Sequence, residues 1–309
     1  MNIFNLKFDF WAIKFPIYLP ITYGLLLYAF PGYENYVAFG TLLLLAEPHF
    51  GATWPFLINK LNTQKFIKEK INYIYGPLLI IFISTVLFFY FNYFLLLVFF
   101  IANVFHVTKQ SVGISKLFIK SIDEQIFQKY IIYSFNILFF AIGFFRFYTD
   151  IINQEFFLII NLTAIVLIFL SVLSYLYKYK YNKDIFIMLT GILIFYPMCF
   201  VDKPIHGILM GVTMHYSQYI ALTYKISKKR KDDILQKNIK YDSKFILFIF
   251  FYGGIMTLLS ISNQLNNEML GILIFIPLLG QLLHFYLDSF LWRFSDEHHR
   301  NASLKFLKQ

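Results

Sequence analysis

The chain has 309 residues, of which 59% are hydrophobic, 21% aromatic and only 14% charged, and its mean hydropathy is +0.62. This balance excludes an ordinary soluble globular protein. The formal net charge of +10 does not indicate a nucleic acid partner, because the basic residues form short clusters between apolar segments. The single cysteine, Cys199, excludes an intrachain disulfide and a thiolate metal cluster.

Ten mostly apolar segments have about the 20 residues that a helix needs to cross a bilayer. They predict an all-α, polytopic transmembrane helix bundle that forms a single integral membrane domain over residues 1–309. The first segment does not end in a signal peptidase site, so we expect a retained span. The ten predicted spans are residues 10–30, 36–59, 74–92, 93–117, 130–148, 155–177, 185–201, 204–225, 244–263 and 269–292.

The distribution of basic residues predicts the orientation of these spans. Lysines and arginines collect after each even-numbered span, whereas the opposite loops, such as PGYENY and NQLNNE, are neutral or acidic. Because positive charge marks the cytoplasmic side, both termini are predicted to be cytoplasmic. We therefore expect a multi-pass protein of a bacterial inner membrane, surrounded by membrane lipids.

Four even-numbered spans carry one central histidine each, namely His49, His106, His215 and His284. The basic residue that anchors the cytoplasmic end of each span lies 9 to 11 positions after the histidine. At about 1.5 Å per residue, the four imidazoles fall in one layer, roughly 14 to 17 Å from the cytoplasmic edge. Ionisable groups are costly inside a membrane, so a shared layer indicates a shared function.

Other polar residues accompany the histidines. Glu47 precedes His49 by two residues, which splays the two side chains by about 200° on a regular helix, and a bend at Pro48 would bring both to the bundle interior. Residues one helical turn after a histidine share its helix face. These are Gln110, Gln218, Tyr219 and Asp288.

Imidazole and carboxylate groups together suit iron, manganese or zinc. We interpret the four histidines as metal ligands, with Glu47 and Asp288 as catalytic carboxylates that act as a further ligand or as proton acceptors. Gln110, Gln218 and Tyr219 would form a second shell that orients the ligands. For each histidine the alternative is a hydrogen bond between helices. A transition metal, foremost iron, is the expected cofactor, and heme is a variant.

The sequence lacks a Walker loop, a dinucleotide glycine motif and a nucleophile elbow. It also lacks the eight-histidine pattern of integral desaturases, since it has only seven histidines. The stretch Pro48-His49-Phe50-Gly51-Ala52 resembles the Pro-His-Gly-Ala motif of the Brp/Blh family, membrane enzymes that cleave β-carotene to retinal at an iron held by intramembrane histidines. The resemblance implies that His49 is a metal ligand. In this chain Phe50 is inserted, and Thr53 stands near the position where that family has an aspartate.

Three functions remain open. The first is an iron-dependent oxygenase or hydroxylase that acts on a lipophilic small molecule entering from the bilayer, supplied by an electron donor. The second is a proton- or cation-coupled transporter that uses the same layer, with discontinuous helices and internal symmetry. The third is a non-catalytic membrane subunit. Of the other histidines, His206 is expected at the membrane interface, and His298 and His299 in a solvated anchor.

Overall fold

In a computed structural model, the structure describes residues 3–58, 60–148, 154–229, 241–261 and 272–307. These residues contain helices and no β-strand, which confirms the predicted all-α class. The main helices, labelled in chain order, are α1 (Tyr18–Ala29), α2 (Glu34–Thr41), α3 (Glu47–Leu57), α4 (Lys60–Lys68), α5 (Gly76–Tyr90), α6 (Asn92–Phe118), α7 (Ile122–Tyr148), α8 (Gln154–Tyr179), α9 (Ile185–Leu193), α10 (Pro204–Lys229), α11 (Tyr241–Ser260) and α12 (Phe275–Leu291).

Six helical segments within the described ranges are long and apolar enough to cross a membrane. A seventh results if the helices Leu6–Lys14 and α1, which meet at 55°, are counted as one bent span. This is the pattern of an integral membrane protein. Each of the ten predicted spans contains at least one helix, but α9 has only 9 residues and is too short to cross a bilayer alone. The count of ten stays a prediction.

The chain divides into two compact units. Beyond residue 4, the first unit consists of residues 5–38 and 107–218, and the second of residues 39–106 and 219–309. Helices α6 and α10 are each divided between the units. The single domain predicted from the sequence stays a prediction.

In the first unit, the N-terminal helix breaks at Pro16, which has no backbone N–H to donate to the preceding turn. Side chains from later helices replace the missing donors. Ser217, Gln218 and Thr190 donate hydrogen bonds to the carbonyl oxygens of residues 12, 13 and 14 at 3.0, 2.6 and 2.7 Å. A backbone break is tolerated at membrane depth when its carbonyl groups are satisfied in this way.

In the second unit, α3 and α12 lie side by side and run in the same direction. Gln281 contacts Glu47, and His284, one turn later on α12, contacts Thr53, which also comes later on α3. Matching order along both helices defines the parallel arrangement. It is the arrangement that the predicted topology requires, because spans two and ten both run towards the same side of the membrane.

Helix α11 packs against α3 in the opposite direction. Ile249 packs with Ala52, whereas Gly253, later on α11, packs against Pro48, earlier on α3. The approach is close, since a Cβ atom on Gly253 would lie 2.8 Å from Pro48 Cδ. Glycine is therefore required here for packing, and α3 is held firmly in place.

Helix α5 likewise runs opposite to α12. Gly76, at the start of α5, packs against Tyr286, and Phe88, near its end, packs against Phe275 at the start of α12. The directions of these helices alternate as the order of the predicted spans requires. This unit also contains a cluster of buried apolar residues, formed by Phe50, Leu95, Leu282 and Phe285.

Candidate metal centre

Glu47 and His49 begin α3, and both side chains are buried at 1% exposure. A π-helical turn, Leu42–Ala46, joins α2 to α3 just before them. The proline ring at Pro48 clashes with the carbonyl four residues earlier in a regular helix, and a widened π turn relieves that clash. The local change of helix geometry brings both residues inside, as the bend expected at Pro48 requires, although the turn lies ahead of the proline.

Four residues of the second unit form a buried group, which we call the central cluster: His49, His106, His284 and Asp288. His106, His284 and Asp288 each offer one ligand atom within 4.8 Å of the others. His49 also places a ring nitrogen within 4.8 Å of one on His106, and its ring lies 4.6 Å from that of His284. The structure thus brings together three of the four predicted histidine ligands and one predicted carboxylate.

The centre of this cluster is the contact between His106 and His284. Their Nε2 atoms are 3.1 Å apart, and Asp288 Oδ2 lies 3.7 Å from His284 Nε2. Two nitrogen ligands about 2.1 Å from one ion are separated by about 3.0 Å at a right angle and about 3.4 Å at a tetrahedral angle. The observed separation of 3.1 Å falls within this range. The pair could bind one cation, or share one proton in a hydrogen bond.

A chain of hydrogen bonds starts on the other nitrogen of His284. His284 Nδ1 lies 2.6 Å from Thr53 Oγ1, and Thr53 Oγ1 lies 2.8 Å from the hydroxyl of Tyr219. The Tyr219 hydroxyl in turn donates to Asp288 Oδ1 at 2.8 Å. The chain therefore returns to α12 one turn after it began, and it ties α3, α10 and α12 together.

Glu47 lies beside the central cluster on α3. Gln281 Nε2 donates to Glu47 Oε1 at 3.1 Å, and Glu47 Oε2 has no hydrogen-bond partner among the described residues. A buried carboxylate with one unsatisfied oxygen is costly to hold and is a candidate proton acceptor. Its predicted catalytic role stays a prediction.

The other predicted residues belong to the first unit. His215 is fully buried on α10, four residues before Tyr219 on the same helix, and its role as a ligand stays a prediction. The side-chain amide of Gln218 donates a hydrogen bond to the carbonyl of residue 13 and so links two helices. Gln110 is half-buried on α6, one turn after His106. The predicted second-shell roles of Gln110 and Gln218 stay predictions.

Two residues of the site carried no weight in the sequence interpretation. Thr53 follows His49 by four residues, and Gln281 precedes His284 by three. Helical spacing places each on the same face as its histidine, which is a usable signal. Neutral polar residues are common at helix interfaces in membranes, however, so spacing alone does not distinguish a site residue from a packing contact.

The remaining histidines lie elsewhere. His206 is 2% exposed, and its Nδ1 lies 2.7 Å from the Tyr23 hydroxyl. Its expected position at the membrane interface stays a prediction. His299 is also 2% exposed, and its Nε2 lies 3.0 Å from the Tyr73 hydroxyl. The expected solvated anchor is therefore wrong for His299, because the chain turns back after α12. His298 is half-buried, and its Nε2 donates to Asn62 Oδ1 at 3.0 Å.

His299 belongs to what we call the terminal cluster: Lys65, Tyr73, Asp296 and His299. Lys65 Nζ pairs with Asp296 Oδ2 at 2.6 Å, and the His299 backbone N–H donates to Asp296 Oδ1 at 3.2 Å. Burial alone would raise the pKa of Asp296, but the hydrogen bonds from Lys65 and from the His299 backbone lower it to about 2. Burial, reinforced by the positive charge of Lys65, lowers the pKa of His299 to about 4.

Comparison of the chain with protein families, with characterised proteins and with solved structures found no match.

Proposed function

We propose that the chain is an integral-membrane metalloenzyme whose central cluster binds one transition metal ion, foremost iron. His106, His284 and Asp288 would bind the ion directly, with His49 as a further ligand. The reaction we assign to this centre is oxidation of a lipophilic small molecule by an oxygenase or hydroxylase. Glu47, beside the cluster, would accept a proton from the substrate.

The approach of His106 Nε2 to His284 Nε2 carries this proposal. A 3.1 Å separation matches two ligands of one ion, and Asp288 Oδ2 supplies a negative charge 3.7 Å from the same nitrogen. Two histidines and one carboxylate form the ligand set of many non-heme iron oxygenases. Such a set also explains how these groups are accommodated in an apolar layer, because a bound cation offsets the cost of burying a carboxylate.

The surroundings of the cluster support a lipophilic substrate. The ring of Phe285 lies 4.7 Å from that of His106, and the ring of Phe50 lies 5.0 Å from that of His284. An apolar wall beside the ligands favours a hydrocarbon over a polar substrate. An oxygenase or hydroxylase of this kind would also require an electron donor where the reaction consumes electrons.

We further propose ten spans with both termini in the cytoplasm. The clusters of lysine and arginine after the even-numbered spans support this topology. The parallel course of α3 and α12, with α5 and α11 running the opposite way, is compatible with it. Reporter fusions after residue 183 and after residue 309 test the orientation, since both should report the cytoplasmic side.

A proton- or cation-coupled transporter is the second candidate. The observation in its favour is the N-terminal helix pair bent by 55°, because transporters commonly contain discontinuous helices. The carbonyl groups at this break, however, accept hydrogen bonds from Ser217, Gln218 and Thr190. Because these carbonyl oxygens already accept hydrogen bonds, the break is not suited to binding a cation.

The deciding experiment is elemental analysis with an optical spectrum on protein purified in detergent after metal-replete expression. We expect near-stoichiometric iron in the native protein and its loss in His106→Ala and His284→Ala. The controls are His206→Ala and His298→Ala, which remove buried or half-buried histidines outside the central cluster and should retain the metal. A Soret band would replace the non-heme assignment with heme.

Absence of metal from every sample would overturn the proposal and make proton-coupled flux into proteoliposomes the next assay. Equal loss of metal from the control variants would show instead that the histidines act through the fold. Neither result is expected if the central cluster is the binding site.

A further inference from the structure

We infer that Thr53 and Tyr219 are positioning residues for the metal centre, and that they hold His284 as the tautomer with its proton on Nδ1. In this tautomer the lone pair of Nε2 faces His106 and Asp288. The inference rests on the proposed function and deepens it, because it names residues that orient a metal-binding histidine through its second ring nitrogen. The sequence interpretation gave Thr53 no such role.

The number of protons available along the chain of hydrogen bonds determines the tautomer of His284. A carboxylate only accepts, so the single hydroxyl proton of Tyr219 is committed to Asp288 Oδ1. The Tyr219 oxygen must then accept from Thr53, which commits the single hydroxyl proton of Thr53. Thr53 Oγ1 in turn must accept at its 2.6 Å contact with His284, so Nδ1 carries the proton.

The opposite tautomer breaks this chain. If His284 carried its proton on Nε2, Nδ1 would need a proton from Thr53, and the 2.8 Å contact between Thr53 and Tyr219 would then need the Tyr219 proton. Asp288 Oδ1 would lose its donor from Tyr219 in a buried setting. Losing a hydrogen bond to a buried carboxylate costs about 1.5–3 kcal/mol, which favours the Nδ1–H form.

The chain is also held rigidly. Thr53 is β-branched, so its side chain has restricted rotation within α3, and it is 1% exposed. The ring of Tyr219 lies 4.5 Å from that of His49 and 5.8 Å from that of Trp292. Because metal-binding histidines are oriented by a partner on the second ring nitrogen, the arrangement is suited to presenting His284 to an ion.

The test uses Co²⁺ as the probe on full-length protein in detergent, with the metal removed beforehand and visible absorption as the readout. Thr53→Val keeps the shape of the side chain and removes the hydroxyl group. We expect it to weaken Co²⁺ binding by about 10- to 100-fold and to change the cobalt absorption bands, because one imidazole is no longer presented correctly. Thr53→Ser restores the hydroxyl and should bind within about threefold of the native protein.

The matched control is Thr257→Val, which makes the same change in a fully buried threonine on α11. Its hydroxyl has no hydrogen-bond partner among the described residues, and we expect unchanged Co²⁺ affinity. Tyr219→Phe should weaken binding by about tenfold. The double variant Thr53→Val/Tyr219→Phe should lose less than the product of the two single losses, because both act on one chain.

The outcomes separate the inference from the proposed function. Native-like Co²⁺ binding by Thr53→Val, with binding lost in His284→Ala, would overturn the positioning role and leave the metal centre intact. Equal losses in Thr53→Val and Thr53→Ser would overturn it as well, since packing and not the hydroxyl would then be responsible. Native-like binding by His106→Ala and His284→Ala would overturn the metal centre itself.

Discussion

The central cluster and the terminal cluster lie in the same unit and use the same kinds of side chain, but they differ in what balances their charge. In the terminal cluster, Asp296 is paired with Lys65, and His299 contacts Tyr73. In the central cluster, Asp288 faces the imidazole of His284 and the hydroxyl of Tyr219 instead. A lysine neutralises the first carboxylate, whereas under the proposed function a bound metal ion would neutralise the second.

The difference shows that adjacency in the sequence does not define a site in this protein. The adjacent pair His298 and His299 looks more like a metal motif than any of the isolated histidines in the spans. The two rings form hydrogen bonds with different residues, His298 with Asn62 and His299 with Tyr73, which is typical of structural contacts. We therefore expect substitutions in the terminal cluster to change stability and substitutions in the central cluster to change metal binding.

The largest expected effect comes from Asp288→Asn. The Tyr219 hydroxyl can still donate to the amide oxygen, which turns the NH₂ group towards His284 Nε2 in place of a carboxylate oxygen. We expect Co²⁺ affinity to fall at least about 100-fold, equivalent to about 2.8 kcal/mol, with little change in the unfolding temperature. Unchanged affinity together with reduced stability would make the central cluster structural, like the terminal one.

The reverse pattern is expected for Lys65→Met. The Lys65 side chain is 10% exposed, and its removal leaves Asp296 without its cation. A fully buried ion pair broken in this way costs about 3–5 kcal/mol, so a partly exposed one should cost about 2–3 kcal/mol. Thermal unfolding in detergent measures the loss, and metal content should match the native protein. Metal loss at unchanged stability would contradict the separation of the two clusters.

Packing of α3 gives an intermediate case in which both properties should change. A Cβ atom on Gly253 would lie 2.8 Å from Pro48 Cδ, so Gly253→Ala should push α3 away and cost about 1–2 kcal/mol in unfolding free energy. The same shift should weaken Co²⁺ binding, because α3 carries His49 and Thr53. Gly254→Ala is the control, since its Cβ would meet nothing within 4 Å. An equal loss in both variants would contradict the packing explanation, because alanine by itself is favoured over glycine within a helix.

Much of this arrangement could be predicted from the sequence. Apolar length predicted the helices, and the common depth of His49, His106 and His284 predicted their convergence, because residues at equal depth in neighbouring helices can meet. Depth does not determine which way a side chain points around its helix. For that reason Thr53 and Gln281, which complete the site through contacts between helices, could not be assigned from spacing alone.

The polypeptide after α12 shows a second limit of the sequence. RFSDEHHR is rich in charge and is predicted to be solvated, but its His299 is buried beside Tyr73, and its Asp296 pairs with Lys65. A local charge pattern does not report a distant partner, and these contacts span more than 200 positions in the chain. The π turn before Glu47 is similar, since proline predicts a distortion but not its form.

The smallest expected effect is a pH dependence of stability that belongs to the terminal cluster. The pKa of His299 is about 4 in the folded protein, whereas an unperturbed histidine has a pKa of 6.5, so between these values the unfolded chain binds more protons. The contribution of His299 to stability is therefore complete above pH 6.5 and is lost progressively as the pH drops towards 4. Asp296 stays ionised in this window because its pKa is about 2.

Thermal unfolding of the native protein and of His299→Gln, measured from pH 7 to pH 4, tests this assignment. The variant keeps a hydrogen-bonding side chain opposite Tyr73 but cannot titrate, so its stability should vary less with pH. His298→Gln is the control, because His298 is half-buried and contacts Asn62 instead. If His298→Gln flattened the profile and His299→Gln did not, burial would not be the cause. The proposed contrast between the two clusters would then fail, because the terminal cluster would not owe its behaviour to burial of His299.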